Sequence, residues 1–312
     1  MSFKEFLAEQ LNEHLYVDKN NKIQFSPTDV MPKEYLDIIK TGFKNTLRLN
    51  HENWPEEDGK DALVQSYYLC GYKSTSITKD LLRVLKGGQP KDNNITIDRD
   101  QYEKFIEYVA DVLAIWLPKE LKLIEPKKRR SKPTYIVCPR SSSNFLRNLT
   151  AKLRPKLGNQ ITIVDDLFVK RIVDHENEHD VDSLINKEHP DWNTLDDKQK
   201  AIVRRQVIDS IKNSGNNTLS IKRLQGRNRK FVKGFMDMKD TDALDYLRGE
   251  VVYILDDINS TGSTMQDIVR LLKLCEPTEI VGITIFKNLS KTNDDREFER
   301  AKRVASDLAR TT

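Results

Sequence analysis

The residues best suited to chemistry stand together in one segment, Val251-Val252-Tyr253-Ile254-Leu255-Asp256-Asp257-Ile258-Asn259-Ser260-Thr261-Gly262-Ser263-Thr264. An apolar run ends in two acids, and a loop of hydroxyls and one glycine then leads into a helical stretch. Ser260, Thr261, Gly262, Ser263 and Thr264 can turn backbone N–H groups and hydroxyls toward a phosphate, and the field of the helix N-terminus favours the anion. Gly262 permits close approach. Asp256 and Asp257 cannot help to bind phosphate. They suit neutral hydroxyls of the same ligand, its metal, or a developing positive charge. A phosphate with a diol a few ångströms away describes a ribose 5-phosphate. The segment lacks the Gly-Lys-Ser/Thr of a Walker loop, and its glycine does not follow a first strand as a dinucleotide fingerprint requires.

The segment resembles the 5-phosphoribosyl 1-pyrophosphate (PRPP) signature of the type I phosphoribosyltransferases: four apolar residues, two acids, then Thr/Ser-Gly-x-Thr/Ser. The resemblance implies that Asp256 and Asp257 hold the ribose hydroxyls while Ser260 to Thr264 cradle the 5-phosphate. It matches residues 137–143 to a pyrophosphate loop in which Arg140, Ser141, Ser142 and Ser143 are anion donors. Arg140, Asp256 and Asp257 are then the catalytic set. The implied reaction is transfer of the 5-phosphoribosyl group to a nucleobase or related nitrogen acceptor, with Mg2+ as cofactor, pyrophosphate as product and no protein nucleophile. Arg227, Arg229 and Lys233 would meet the leaving charge, and residues 222–235 resemble an Arg-x-x-Asn segment of competence-type relatives. A homodimer is also implied. The resemblance spans about 132–289 and leaves the first 120 residues unassigned. Only about 23 residues follow Leu289, so acceptor recognition falls to the N-terminal region, the long insert or a second subunit. The alternative is a non-catalytic PRPP- or nucleotide-sensing protein on the same fold. A PRPP synthetase-like diphosphokinase would need a second related domain, and no second copy is visible.

The positioning elements follow from periodicity. Residues 134–138, 160–167, 250–255 and 279–286 read as strands, alternating with helices at 144–157 and about 263–274. This pattern predicts an α/β fold: a phosphoribosyltransferase-like parallel sheet flanked by helices, with a mainly helical N-terminal domain. The expected division is residues 1–124, a basic linker at 125–133, and an α/β domain at 134–312 with an insert at about 169–247, part of it a mobile flap. Helices are expected at 3–15, 35–47, 63–69, 78–85 and 101–117, the last stopped by Pro118, with a loop at 86–94. Residues 198–212 form a helix within the insert, and 294–308 form one more.

Composition narrows the classes. The 312 residues carry 52 basic and 48 acidic side chains, a net +4 that does not by itself argue for nucleic acid. The basic linker leaves nucleic acid as a weak alternative partner, and a solvated linker is the plainer reading. No run approaches the length needed to cross a bilayer. Charges near the N-terminus and three unpaired-looking cysteines predict a cytoplasmic protein without disulfides, not bound to membrane. Residues 171–200 hold nine acids and four bases, while 201–233 hold nine bases and one acid. These blocks should pair, or the second should line an anion site. Cys138 and Cys275 read as core residues and Trp192 as packing for the insert. His175 and His179 lack a third ligand at fixed spacing, so no protein metal site is assigned. Asp165-Asp166 suit a strand end, where they place metal or acceptor or simply form a turn.

Overall fold

The four apolar runs beyond residue 134 pair side by side, which leaves both faces of the sheet to be covered. The structure, a computed structural model, describes residues 15–17, 20–25, 39–41, 47–48, 65–72, 76–124, 134–139, 144–159, 161–259 and 263–288. Its strands are β1 (Leu15–Val17), β2 (Lys22–Phe25), β3 (Ile39–Thr41), β4 (Leu47–Arg48), β5 (Gln65–Tyr72) and β6 (Thr96–Ile97). Then come β7 (Thr134–Pro139), β8 (Ile161–Lys170), β9 (Met236–Met238), β10 (Val251–Asn259) and β11 (Glu279–Asn288). The helices are α1 (Ser76–Leu85), α2 (Arg99–Ile124), α3 (Asn144–Leu153), α4 (Glu178–Ser183), α5 (Asp197–Lys212), α6 (Ala243–Tyr246) and α7 (Ser263–Lys273).

The main sheet has the order β3-β5-β11-β10-β7-β8-β9, with β4 also paired to β5; β1, β2 and β6 form a small separate sheet. Strands β5, β11, β10, β7 and β8 run parallel. Successive side chains alternate between faces. Val251, Tyr253 and Leu255 of β10 pack with α1, α2 and α3 through Leu85, Phe105 and Phe145. Val252 and Ile254 face α7 and the insert through Ile268, Val207 and Phe235. The predicted parallel sheet with helices on both faces is therefore present. Among the described residues, no helix is long and apolar enough to cross a membrane.

The N-terminal region departs from its mainly helical reading. The helix expected at 63–69 is instead β5, paired in parallel with β11 from Val281↔Gln65 to Asn288↔Tyr72. A short apolar run does not distinguish helix from strand; Tyr67, Tyr68, Leu69 and Cys70 suit a pleated surface, and the edge of β11 supplies the partner. The helix expected at 35–47 gives way in part to β3 and β4, both antiparallel to β5. Helices α1 and α2 stand where expected, but α2 runs past Pro118 to Ile124. Proline removes one amide donor without ending a helix whose neighbours hold it in place. The helix expected at 3–15, apart from Leu15 at the start of β1, the helix expected at 294–308 and the linker 125–133 lie outside the described residues.

The insert folds around a small core. Ile185, Trp192, Val203 and Phe231 form a small core of their own, with Trp192 edge-on to Phe231 at 5.6 Å. The two charge blocks pair, as their composition predicted: Lys230 with Asp191, Lys233 with Glu188, and Arg204 with Asp182 and Glu178. Asp165-Asp166 do not end their strand, because β8 continues to Lys170. Between Val137↔Val164 and Pro139↔Phe168 the register shifts by two extra residues on β8, and Asp166 takes φ 59°. The acid pair forms a β-bulge, with Asp165 bonded to Arg154.

Candidate active site

Strand β10 lies between β11 and β7, so its C-terminal end opens near the middle of the sheet edge. Asp256 and Asp257 stand there, 9% and 5% exposed. Ser263 then begins α7, and it is 4% exposed, with Thr264 half-buried. The strand and the helix expected from the sequence are thus in place. The turn residues Ser260, Thr261 and Gly262 lie outside the described residues, as do Arg140, Ser141, Ser142 and Ser143.

Alternation sends the two acids to opposite sides of the sheet. Asp256 lies in register with Thr284 of β11, whose buried hydroxyl has no hydrogen-bond partner among the described residues. Its Oδ1 accepts a hydrogen bond from the amide of Asp257 at 2.8 Å. Burial, and then the charge of Asp257, push the Asp256 carboxyl up to about 7. The Asp257 amide, Lys86 and Lys222 offset part of that rise.

Asp257 meets Lys86, whose Nζ lies 2.6 Å from Oδ2; the two side chains are 13% and 7% exposed. Local structure explains this reach. Leu81, Leu82 and Leu85 bury one face of α1 in the layer under β10 and β11. Gly87, at φ +79°, ends the helix: its amide donates to Val84 O at 2.9 Å and that of Gly88 to Arg83 O at 2.8 Å. These paired bonds form a left-handed C-cap that only glycine accepts without strain. Lys86 is the cap residue, aimed back toward the strand end. Asp80 secures the next turn by accepting from the amides of Lys91, Asp92 and Asn93 at 2.7–2.8 Å. Burial alone would raise the Asp80 pKa, and these bonds hold it well below the carboxylate range.

The insert closes the other side. Loss of solvent, and then the charge of Lys86, push the Lys222 ammonium below its ordinary pKa, while Asp257 and Asp256 pull it back. Ser263 Oγ donates to the carbonyl of Arg229 at 3.5 Å, so the 3-10 helix Gly226–Phe231 touches the start of α7. Asp267 of α7 is 3% exposed and accepts from the amides of Gly234 and Met236, both at 2.7 Å, and from Arg270 Nε at 3.0 Å.

Three basic residues expected to meet a leaving anion are placed otherwise. Arg229 donates to the carbonyls of Leu224 and Lys222, at 3.2 and 3.4 Å. Lys233 pairs with Glu188, and Arg227 lines a cavity inside the insert. The cations that share the acids' field are Lys86 and Lys222. Lys222 lay within the basic segment already noted, whereas only the helix–Gly-Gly boundary at 85–88 hinted at Lys86. Asp267 gave no signal beyond its position on α7.

Comparison with known families bears on this arrangement. Residues 199–306 match the model of the phosphoribosyl transferase domain. The match covers about a third of the chain. The family match takes in Asp256 to Thr264, most of α5 and the second half of the insert, but leaves β5, α1 and β7 outside. No curated protein matches the chain. Among solved structures, hypoxanthine phosphoribosyltransferase from Staphylococcus aureus is 14% identical with a TM-score of 0.29, over 59% of this chain and 64% of that one. Hypoxanthine-guanine phosphoribosyl transferase from L. donovani is 12% identical with a TM-score of 0.31, over 58% and 67%. The Bacillus anthracis enzyme of the same name is 11% identical with a TM-score of 0.31, over 61% and 75%. The chain thus spans a little under two thirds of the length of the S. aureus protein.

Proposed function

We propose that the protein is a phosphoribosyltransferase that binds PRPP and Mg2+ and transfers the 5-phosphoribosyl group to a nitrogen acceptor, a nucleobase or a related compound. The observation that carries this reading is the placement of Asp256 and Asp257 at the C-terminal end of a central parallel strand, directly before Ser263 and Thr264 at the start of α7. The start of a helix favours the 5-phosphate through its N-terminal dipole and amides. The two carboxylates accept hydrogen bonds from the ribose hydroxyls.

In the reaction the bond from C1 to the diphosphate oxygen breaks, the diphosphate takes the electron pair, and the acceptor nitrogen forms the new bond to C1. The acceptor nitrogen then loses its proton. Positive charge grows on the ribose ring and negative charge on the leaving group. Buried carboxylates beside the ring stabilise the first, and Lys86 and Lys222 stand ready for the second. Asp256 and Asp257 also suit Mg2+, which is commonly held by one or two carboxylates together with substrate phosphates. Bound there, Mg2+ would neutralise part of the diphosphate charge.

One observation favours a second reading, a PRPP- or nucleotide-sensing protein without turnover. Lys86 already occupies Asp257, so a ribose must displace a buried ion pair to reach that carboxylate. Calorimetric titration of PRPP with MgCl2, followed by pyrophosphate release across a nucleobase panel, separates the two. Binding with release supports transfer, and binding without release from any base supports sensing. No binding to the unaltered chain, or undiminished binding by Asp256→Asn/Asp257→Asn, overturns both.

A further inference from the structure

The insert carries a cavity of about 260 Å3, partly open to solvent, that the PRPP reading does not use. Its walls come from the turn before α5, the first turns of α5 and the 3-10 helix Gly226–Phe231. The floor is apolar: Val203 and Phe231 are 1% and 3% exposed and belong to the insert's own core. Ile202 lines the same space yet remains 39% exposed, an aliphatic side chain left open beside an unfilled volume.

Charge is placed unevenly around this floor. Lys230 is bonded to Asp191, and its Nζ lies 5.2 Å from the centroid of the Phe231 ring. Arg227 is exposed and has no hydrogen bond or ion pair among the described residues. The lining therefore carries two cations against one carboxylate, an excess of one positive charge next to an aromatic and aliphatic floor. A guanidinium binds a carboxylate through two parallel hydrogen bonds, a geometry that lysine lacks. The volume is just below the roughly 300–1,000 Å3 of ordinary ligand pockets, enough for one or two rings and too small for a nucleotide.

We propose that this cavity is a second ligand site, which takes a small flat ring bearing a single carboxylate held by Arg227. The ring lies over Phe231 and Val203, and the site stands whether or not the chain is a transferase. The 3-10 helix that forms one wall also meets α7 through the Arg229 carbonyl, so an occupant bears on the element next to Ser263.

The test uses the full chain in carboxylate-free buffer, with benzoate and its neutral isostere benzamide as probes in calorimetric titrations. Benzoate is expected to bind at least ten-fold more tightly than benzamide. Arg227→Ala brings that ratio close to one. Ile202→Trp fills the cavity from its exposed wall and abolishes binding of both probes while the melting temperature is unchanged. If the unaltered chain binds neither probe or binds both equally, or if benzoate keeps its advantage in Arg227→Ala, the proposal fails. Because Arg227 is exposed, its removal does not depend on the fold tolerating a filled cavity.

Discussion

Lys86→Met is the sharpest test of how the site is built, because it removes a charge while retaining a flexible apolar stem. In the unaltered protein the ammonium and the Asp257 carboxylate lie 2.6 Å apart and are almost wholly removed from solvent. Breaking such a pair leaves one buried charge uncompensated, at a cost of about 3–5 kcal/mol, whereas replacing both partners by neutral groups is often close to neutral. Lys86→Met and Asp257→Asn should therefore each lower the unfolding free energy by about 3 kcal/mol. The double variant should lose no more than either single variant, so at least about 3 kcal/mol less than the sum of the two. Urea unfolding of the four proteins, followed by circular dichroism without ligand, measures this coupling. Additive losses would show that the two groups do not interact, and the view of Lys86 as the resident partner of Asp257 would be wrong. The same variants speak to the ligand: a ribose that must displace Lys86 binds Lys86→Met more tightly than the unaltered chain. Weaker binding would mean that Lys86 serves the charge of the donor instead.

The cap that aims Lys86 is testable at Gly87, where φ is +79° and a Cβ would meet open space, so only backbone strain opposes Gly87→Ala. That change should cost about 1–2 kcal/mol in urea unfolding, and a neutral result would mean that the cap is not needed. Asp267→Ala strands the amides of Gly234 and Met236. At about 1–3 kcal/mol for each buried group left unmade, hydrogen exchange should show the 234–238 segment losing protection first. Asp256 sets a pH dependence. Its carboxyl is raised to about 7 in the folded chain against 3.8 as a model value, so its stabilising contribution is complete below about pH 4 and is lost as pH rises through 7. Asp256→Asn should thus gain on the unaltered protein between pH 5 and pH 8, and parallel stability curves over that range would contradict the shift.

The elements that carry the motif were legible because each had a strong local signal. Residues 251–264 combine an apolar run with a hydroxyl- and glycine-rich turn, and the strand and helix formed where those signals placed them. The surrounding strands followed from the same alternation, although β8 and β10 run beyond their expected ends. Residues 65–72 were misread because a lone apolar segment has no decisive period, and the partner that makes it a strand lies more than 200 residues away. Within the insert only the helix at 198–212 was legible, because the polar composition hid a small core of four buried side chains. Its opposed charge blocks were the better guide, and they do pair. The Lys86 contact could not be read at all: 171 positions separate it from Asp257, and its reach depends on a helix docked by apolar residues that bear no relation to the acid.

That long-range contact changes what the acid pair can be taken to mean. A motif of two acids before a phosphate loop describes a ligand site only when its carboxylates are available, and here the two are unavailable in different ways. Asp257 is held by a cation from α1, while Asp256 is held toward its protonated form by burial and by its neighbour's charge. The two states are linked, because Lys86 is among the charges that lower the Asp256 pKa. A ligand that drew Lys86 from Asp257 toward a diphosphate would weaken that support for the ionised form of Asp256, unless Lys222 or an arriving divalent cation replaced it. On the proposed reading, ribose phosphate binding at this site would require an exchange of cations, in which α1 and the insert each contribute one. The family match covers the acids and Lys222 but not Lys86, so on this reading one of the two cations comes from outside the matched segment.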